Sequence, residues 1–341
     1  MSAPAVDLSH RECGASLVSA LLLVAVMASM AMMLAGDLRV SLRRSANMEV
    51  RDQAYWYALG ARDYTGGLIA TAMRDPGTAL RPDAAWLRDA REFPIERGRL
   101  SGRISDGNNC FNLNALVVDD GAGGLSSDPG QRARFERLLR TLGLPGADAG
   151  RIAAEATDWI DSDTRPLSGG AEDAVYMARP TPYRTGNTLM AEREELLALA
   201  SMTPALYRRI EPFICTRPVA APIPLNINTL TTEDWPLLVA LFDGALGRVA
   251  AEGILLARPS SGFPNAEAFW ALDSVRALEL EADREAGNGP ALASSIGVET
   301  RYFELAVDVL HDGQSYRLEA LYEWTGAETP ARLSQRYGHV I

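Results

Sequence analysis

The sequence predicts an α+β fold. A long N-terminal helix packs on an antiparallel sheet, and a large all-α region is inserted between the sheet's strands. Three observations predict it. Residues 15 to 36 are 22 consecutive positions without a charge, and no proline interrupts the helical pattern that follows until Pro76. Apolar and polar residues alternate over 99–104 and again over 302–324, the period of half-buried strands. Between these stretches, from Asp128 to about Leu280, the apolar spacing is helical.

The uncharged run, as a helix, would extend about 33 Å, enough to cross a bilayer core. A cleaved secretory signal has a basic start, a shorter apolar core and a small-residue cut site after that core. Here Asp7 and Glu12 accompany Arg11 and the run is too long for such a signal. Beyond it, Leu38, Leu42, Ala46, Val50, Ala54, Tyr57 and Ala61 recur at three- and four-residue steps. One helix from Ala15 to about Met73 follows, lipid-embedded in its first half and amphipathic in its second, with Asp75-Pro76-Gly77 stopping it. Tyr55, Trp56 and Tyr57 are adjacent, so they cannot share one helix face, and one of them is expected to meet a partner helix.

In the first strand, Leu100, Gly102 and Ile104 point one way and Arg99, Ser101 and Arg103 the other. The C-terminal stretch reads as a hairpin around His311-Asp312-Gly313-Gln314. Phe303, Leu305, Val307 and Val309 share one face, and Tyr316, Leu318, Ala320, Tyr322 and Trp324 share another. Within the inserted region, Asp148, Thr203, Thr231 and Asn265 stand where helix N-caps are expected. Pro218, Pro222 and Pro224 mark a linker between two helical units.

Composition excludes several functions. The net charge of −11 leaves no basic face for a nucleic-acid backbone. All 33 basic residues are arginine, so no P-loop lysine, Schiff-base lysine or Ser–Lys dyad exists. His10, His311 and His339 are read as lying outside any rigid core, which argues against triad or zinc chemistry. No catalytic constellation can be assembled, and no enzyme is expected.

The order of several motifs resembles the K-type minor pseudopilins of bacterial type II secretion (the GspK family). The matching stretches are a glycine, Gly14, before the apolar helix, then RDQAYWYALGA (51–61) and CFNLNAL (110–116). DWIDSDTRPLSGGAED (158–173), PYRTGNTLMAEREELLAL (182–199), PLNINT (224–229) and RYFELAVDV (301–309) complete the order. The resemblance implies the pseudopilin fold, with a unit resembling SAM-like or helix-hairpin-helix modules in the insertion. Such DNA-binding hairpins carry a G-x-G, whereas Gly244 and Gly247 stand one residue too far apart, so no nucleic-acid partner is expected. The expected division is a leader over 1–14, a transmembrane part over 15–36, and a helix extension with the first strand over 37–114. A first helical unit over 115–215, a SAM-like unit over 216–290 and the C-terminal hairpin and tail over 291–341 follow.

The resemblance further implies cleavage between Gly14 and Ala15 by prepilin peptidase, with N-methylation at Ala15 and retention of the helix. It implies a single-pass protein of the bacterial inner membrane with its C-terminal region in the periplasm. Arg39, Arg43 and Arg44 after the span, against Arg11 before it, would alone give the opposite orientation. The fifth residue counted from Ala15 is Ser19, where most pseudopilins carry a glutamate thought to pair with a neighbour's N-terminal amine. A subunit without that charge suits the first position of a fibre; read alone, Ser19 is simply a small polar residue in a membrane helix. The implied partners are the I-type and J-type minor pseudopilins, prepilin peptidase, the inner-membrane secretion platform and secreted substrate proteins. The competing reading is a single-pass membrane sensor or scaffold protein with a periplasmic helical domain.

Asp161, Asp163 and Glu172 fall at positions 1, 3 and 12 of an EF-hand count, but Arg165 and Pro166 break that motif. The family implies calcium in the helical region, and Asp158, Asp161, Asp163, Glu172 and Asp173 fit it. Alternatively Asp158 and Asp161 end a helix and the other carboxylates are solvated. With Cys13 removed by the cut, Cys110 and Cys215 remain, suited to one disulfide or to two separate buried thiols.

Overall fold

A computed structural model describes residues 12–75, 87, 89–242, 245–278 and 292–339. Residues 1–11 of the expected leader, with His10 and Arg11, lie outside the described residues. So do Pro76 and Gly77 of the expected helix stop, Gly244, the end of the second unit from 279 and the last two residues.

Helix α1 runs from Glu12 to Ala72, 61 residues, or about 90 Å at the α-helical rise. Its residues from 16 to 49 are exposed and touch no other part of the chain's core. Among the described residues it is the one helix long and apolar enough to cross a membrane. Packing begins at Ala54 and continues through Ala58, Thr65 and Ile69, all buried and spaced by four, seven and four residues, one face of the helix. Small side chains at the first two positions let the helix approach the sheet closely. The three aromatics separate as their adjacency requires. Tyr55 packs edge-on against Tyr337, Tyr57 against His311, and Trp56 is 66% exposed.

The sheet has five antiparallel strands in spatial order β1 (Arg91–Ile95), β2 (Gly98–Asp106), β3 (Tyr302–His311), β4 (Gln314–Glu323) and β5 (Ala331–His339). β2 and β3 are neighbours, pairing Gly98 with His311 and Asp106 with Phe303, although the whole insertion separates them in sequence. The hairpin register pairs Tyr316 with Val309, Leu318 with Val307, Ala320 with Leu305 and Tyr322 with Phe303. The two apolar sets therefore share one face, under α1, and not two. Trp324 lies just past β4, half-buried. The turn is the two-residue pair Asp312-Gly313, both at positive φ as a tight twisted hairpin requires. His311 is inside: it ends β3 at 2% exposure, its Nδ1 3.1 Å from the Glu96 carbonyl. The expectation that no histidine meets a rigid core is corrected there, since Tyr57 closes over the ring.

The insertion leaves after Asp106 and returns before Tyr302. It contains α2 (Pro129–Thr141), α3 (Gly146–Ile160), α4 (Asp173–Met177), α5 (Pro204–Ile210), α6 (Trp235–Leu241), α7 (Arg248–Leu256), α8 (Ala266–Trp270) and α9 (Asp273–Arg276). Both helical stretches bury side chains in one continuous core, from Phe135, Leu138 and Ile152 to Leu238, Ile254 and Phe269. Thr203 and Asn265 cap α5 and α8 through side-chain bonds, and Thr231 forms a reciprocal capping box with Asp234. Asp148 is not a cap. Pro145 takes that place, and Asp148 sits in the first turn, where its charge still favours the helix dipole.

Candidate functional site

The acidic loop begins where α3 ends. Apolar residues of α3 bury against the insertion core and carry Asp158 inward with them; Asp158 is fully buried and Asp161, at the C-cap, is 3% exposed. The chain then passes through exposed Asp163 and turns back, so that Glu172, 4% exposed, comes beside them. One carboxylate oxygen each from Asp161, Asp163 and Glu172 lie within 4.8 Å of one another. Asp158 shares the loop's interior, accepting the Leu167 N–H at 3.2 Å. Gly170 makes this approach possible: a Cβ there would stand 1.9 Å from Asp158 Oδ2.

The electrostatics are one-sided. Asp161 Oδ1 and both Glu172 carboxylate oxygens are buried without a hydrogen-bond partner. Burial, then the neighbouring carboxylates, push Asp161 and Glu172 up to about 7. Burial pushes Asp158 up to about 6, with Asp163 adding to it and the Leu167 and Ala171 amides opposing. A cluster of buried oxygen-only donors with unmet acceptor capacity is the chemistry of a hard divalent cation site. Asp173 stands apart. Its Oδ1 accepts from the Thr185 N–H and hydroxyl, and its Oδ2 faces Arg184 at 3.6 Å.

Residues not singled out from the sequence support this loop. Ser162 exchanges hydrogen bonds with Leu125, pinning the loop to the short hairpin of Val117–Asp119 and Leu125–Ser127. The neighbouring glycine pair Gly169-Gly170 was its one sequence signal.

Where the insertion joins the sheet, Cys110 and Cys215 form a disulfide with Cα atoms 5.7 Å apart. They sit at or beside the parallel pairing of Phe111 with Ile214 and Asn112 with Cys215. Buried asparagines complete the junction. Asn108 Oδ1 accepts the Arg301 and Tyr302 amides, and its Nδ2 donates to the Glu299 and Pro224 carbonyls. Asn112 and Asn114 hold the 217–221 segment, and Asn226 donates to Asp106 Oδ2. The asparagines of NNCFNLN and LNIN are thus the seam between the two parts of the protein.

At the other end, Gly14 and Ala15 lie within α1, and Ser19 is on its exposed surface among Leu17, Val18, Leu21 and Leu22.

Family models described as type II secretion system (T2SS), protein K match residues 109–219 and 225–287. The type II secretion system protein K of Pectobacterium carotovorum subsp. carotovorum is 36% identical over 75% of this chain and 78% of its own. That of Klebsiella pneumoniae is 31% identical over 97% and 98% respectively. A chain of the crystal structure of the GspK-GspI-GspJ complex from the enterotoxigenic Escherichia coli type 2 secretion system superposes with a TM-score of 0.73. The likeness covers 86% of this chain and 99% of that one, at 25% identity. The long helix on an antiparallel sheet, the inserted helical region and these relatives agree: the chain belongs to the protein K family of the type II secretion system, and it is a minor pseudopilin of that machine.

Proposed function

We propose that the chain occupies the tip of the type II secretion pseudopilus, together with I-type and J-type minor pseudopilins, and so supports export of folded proteins. The observation that carries this reading is the likeness, over 86% of the chain, to a protein solved in complex with GspI and GspJ. The exposed, uncharged first part of α1 supports a single membrane anchor, and the Cys110–Cys215 disulfide suits an oxidising compartment, as a periplasmic sheet and insertion would have. Retention of that helix follows if prepilin peptidase cuts between Gly14 and Ala15 and Ala15 is methylated. Ser19 then stands where a repeating subunit carries a glutamate, and an uncharged residue there suits a subunit with no predecessor.

Calcium is part of the same proposal. Asp161, Asp163 and Glu172 would hold it, with Asp158 beside them, and the unpartnered oxygens of Asp161 and Glu172 support the fit. The ion would supply positive charge to a loop that otherwise must take up protons. Secretion-platform contacts and secreted substrates are the remaining expected partners.

Co-expression with the I-type and J-type pseudopilins of the same system, followed by detergent extraction and size exclusion, tests the assembly. A stable ternary complex is expected. Elution of this chain alone, with both partners folded and present, contradicts it.

A further inference from the structure

In the sheet and the insertion, arginines find carboxylates: Arg140, Arg217, Arg301, Arg317 and Arg336 each pair with one at 2.5–2.8 Å. The turns of α1 just beyond its uncharged run are different. Residues 38–48 carry three positive charges, Arg39, Arg43 and Arg44, and no negative one, in a chain whose net charge is −11. All three arginines are exposed. Asp37 and Glu49, the acids on either side, stand neither three nor four residues from any of them, so the helix offers none an ion-pair partner. Nothing else comes near, since the packing of α1 on the sheet begins only at Ala54.

Their height suits a bilayer surface. At the α-helical rise Arg39, Arg43 and Arg44 lie about 5, 10 and 12 Å beyond Gly36, the end of the uncharged run. The headgroup layer is about 5–8 Å deep on each side of the hydrocarbon core. Side chains of a helix lean toward its N-terminus, which here is the membrane side, so the two higher guanidinia reach back into that layer. Leu38, Val40 and Leu42, all exposed between the arginines, supply apolar surface at the same depth. Arg39 and Arg43, four residues apart, share one helix face, and each guanidinium presents paired N–H donors that match two phosphate oxygens.

We propose that Arg39, Arg43 and Arg44 form a site for anionic phospholipid, binding the phosphate groups of the leaflet from which α1 emerges. In a zwitterionic lipid the headgroup's own cation offsets the phosphate, whereas in an anionic one nothing does, so attraction to the three arginines favours the anionic lipid. The inference rests on the reading of residues 15–36 as a membrane span and holds for either orientation of that span. It also gives the arginines a role on the side where charge bias alone would not place them.

The test uses the full chain, reconstituted from detergent into phosphatidylcholine vesicles that carry a trace of spin-labelled lipid. Flotation on a density gradient shows whether the chain inserts. Electron spin resonance then compares how much labelled phosphatidylglycerol and labelled phosphatidylcholine the protein holds. The native chain is expected to hold phosphatidylglycerol roughly two- to fivefold more strongly. The preference should vanish in about 1 M salt, where the Debye length is about 3 Å, and in the triple variant Arg39→Gln, Arg43→Gln, Arg44→Gln. These side chains touch no core, so the variant should keep the native circular dichroism. Equal association of both lipids with a native chain that floats, or a preference that survives in the variant, overturns the proposal and leaves the anchor standing. A chain that floats with no vesicle contradicts the anchor and the proposal together. Inorganic phosphate at constant ionic strength should leave the preference unchanged; competition by it assigns the arginines to free phosphate and overturns the lipid site.

Discussion

Asp161 and Glu172 meet at the end of α3 as two buried carboxylates whose facing oxygens, Asp161 Oδ1 and both of Glu172, accept no hydrogen bond. Two such groups in one loop are tolerable only if they share protons or a cation.

That relationship dictates a pH dependence. Both groups, and Asp158, titrate higher in the folded protein than their ordinary values of 3.8 to 4.5. The folded state therefore binds more protons than the unfolded one between about pH 4 and 7, so this contribution to stability is full below about pH 4, falls as pH rises from there, and is lost once pH passes about 7. In chelator, Tm is expected to drop by roughly 5 °C from pH 5 to pH 8, and calcium at pH 8 to restore about as much. Glu172→Gln should flatten the profile, exceed the native chain's Tm in chelator and lose the response to calcium. Differential scanning calorimetry with and without chelator reads all three.

Gly170 is where the loop has no room. A methyl group there would meet Asp158 Oδ2 at 1.9 Å, so Gly170→Ala must displace either the loop or the carboxylate. A loss of about 2–3 kcal/mol is expected, together with at least a tenfold weaker calcium affinity, measured by denaturant titration and calorimetry. Asp173→Asn should act differently, loosening the Thr185 segment while leaving calcium affinity within about twofold of native.

At the seam, Asn108→Ala removes the acceptor of two backbone amides, Arg301 and Tyr302, in a residue only 3% exposed. Unpaired buried amides cost the full desolvation of each, so about 2–4 kcal/mol should be lost. Hydrogen exchange should rise at 299–302 and 224–226 before it rises in α2 or α3.

Trp56, like Tyr64 further along α1, is an aromatic that the protein's own sheet leaves largely exposed. Trp56→Ala should leave stability within about 0.5 kcal/mol of native while reducing co-purification of the I-type and J-type partners. Tyr57→Ala should destabilise the chain itself, because its ring closes over His311.

The elements with a strong period were legible in the sequence: α1, β2, and the β3–β4 hairpin with its Asp-Gly turn. β1 and β5 were not. β5 is largely exposed on both faces, so no alternation marks it, and β1 is a short edge strand whose Pro94 argues locally against a strand. The one-face arrangement of the hairpin depends on register, which single-strand periodicity does not contain. The acidic loop was legible as a set of carboxylates, but their division was not: Asp173 turns toward Thr185 through contacts made 12 residues away. The asparagine seam was visible as a motif, while its partners lie more than 100 residues distant and only the fold brings them together.

A place at the pseudopilus tip requires α1 to be the retained product of a cut at Gly14. Its most direct test is the intact mass and N-terminal sequence of the protein extracted from membranes, with and without prepilin peptidase. The expected result is an N-methylated chain beginning at Ala15, found only when the peptidase is present. A chain that keeps Met1 in both strains, or one cut near residue 36, would contradict it.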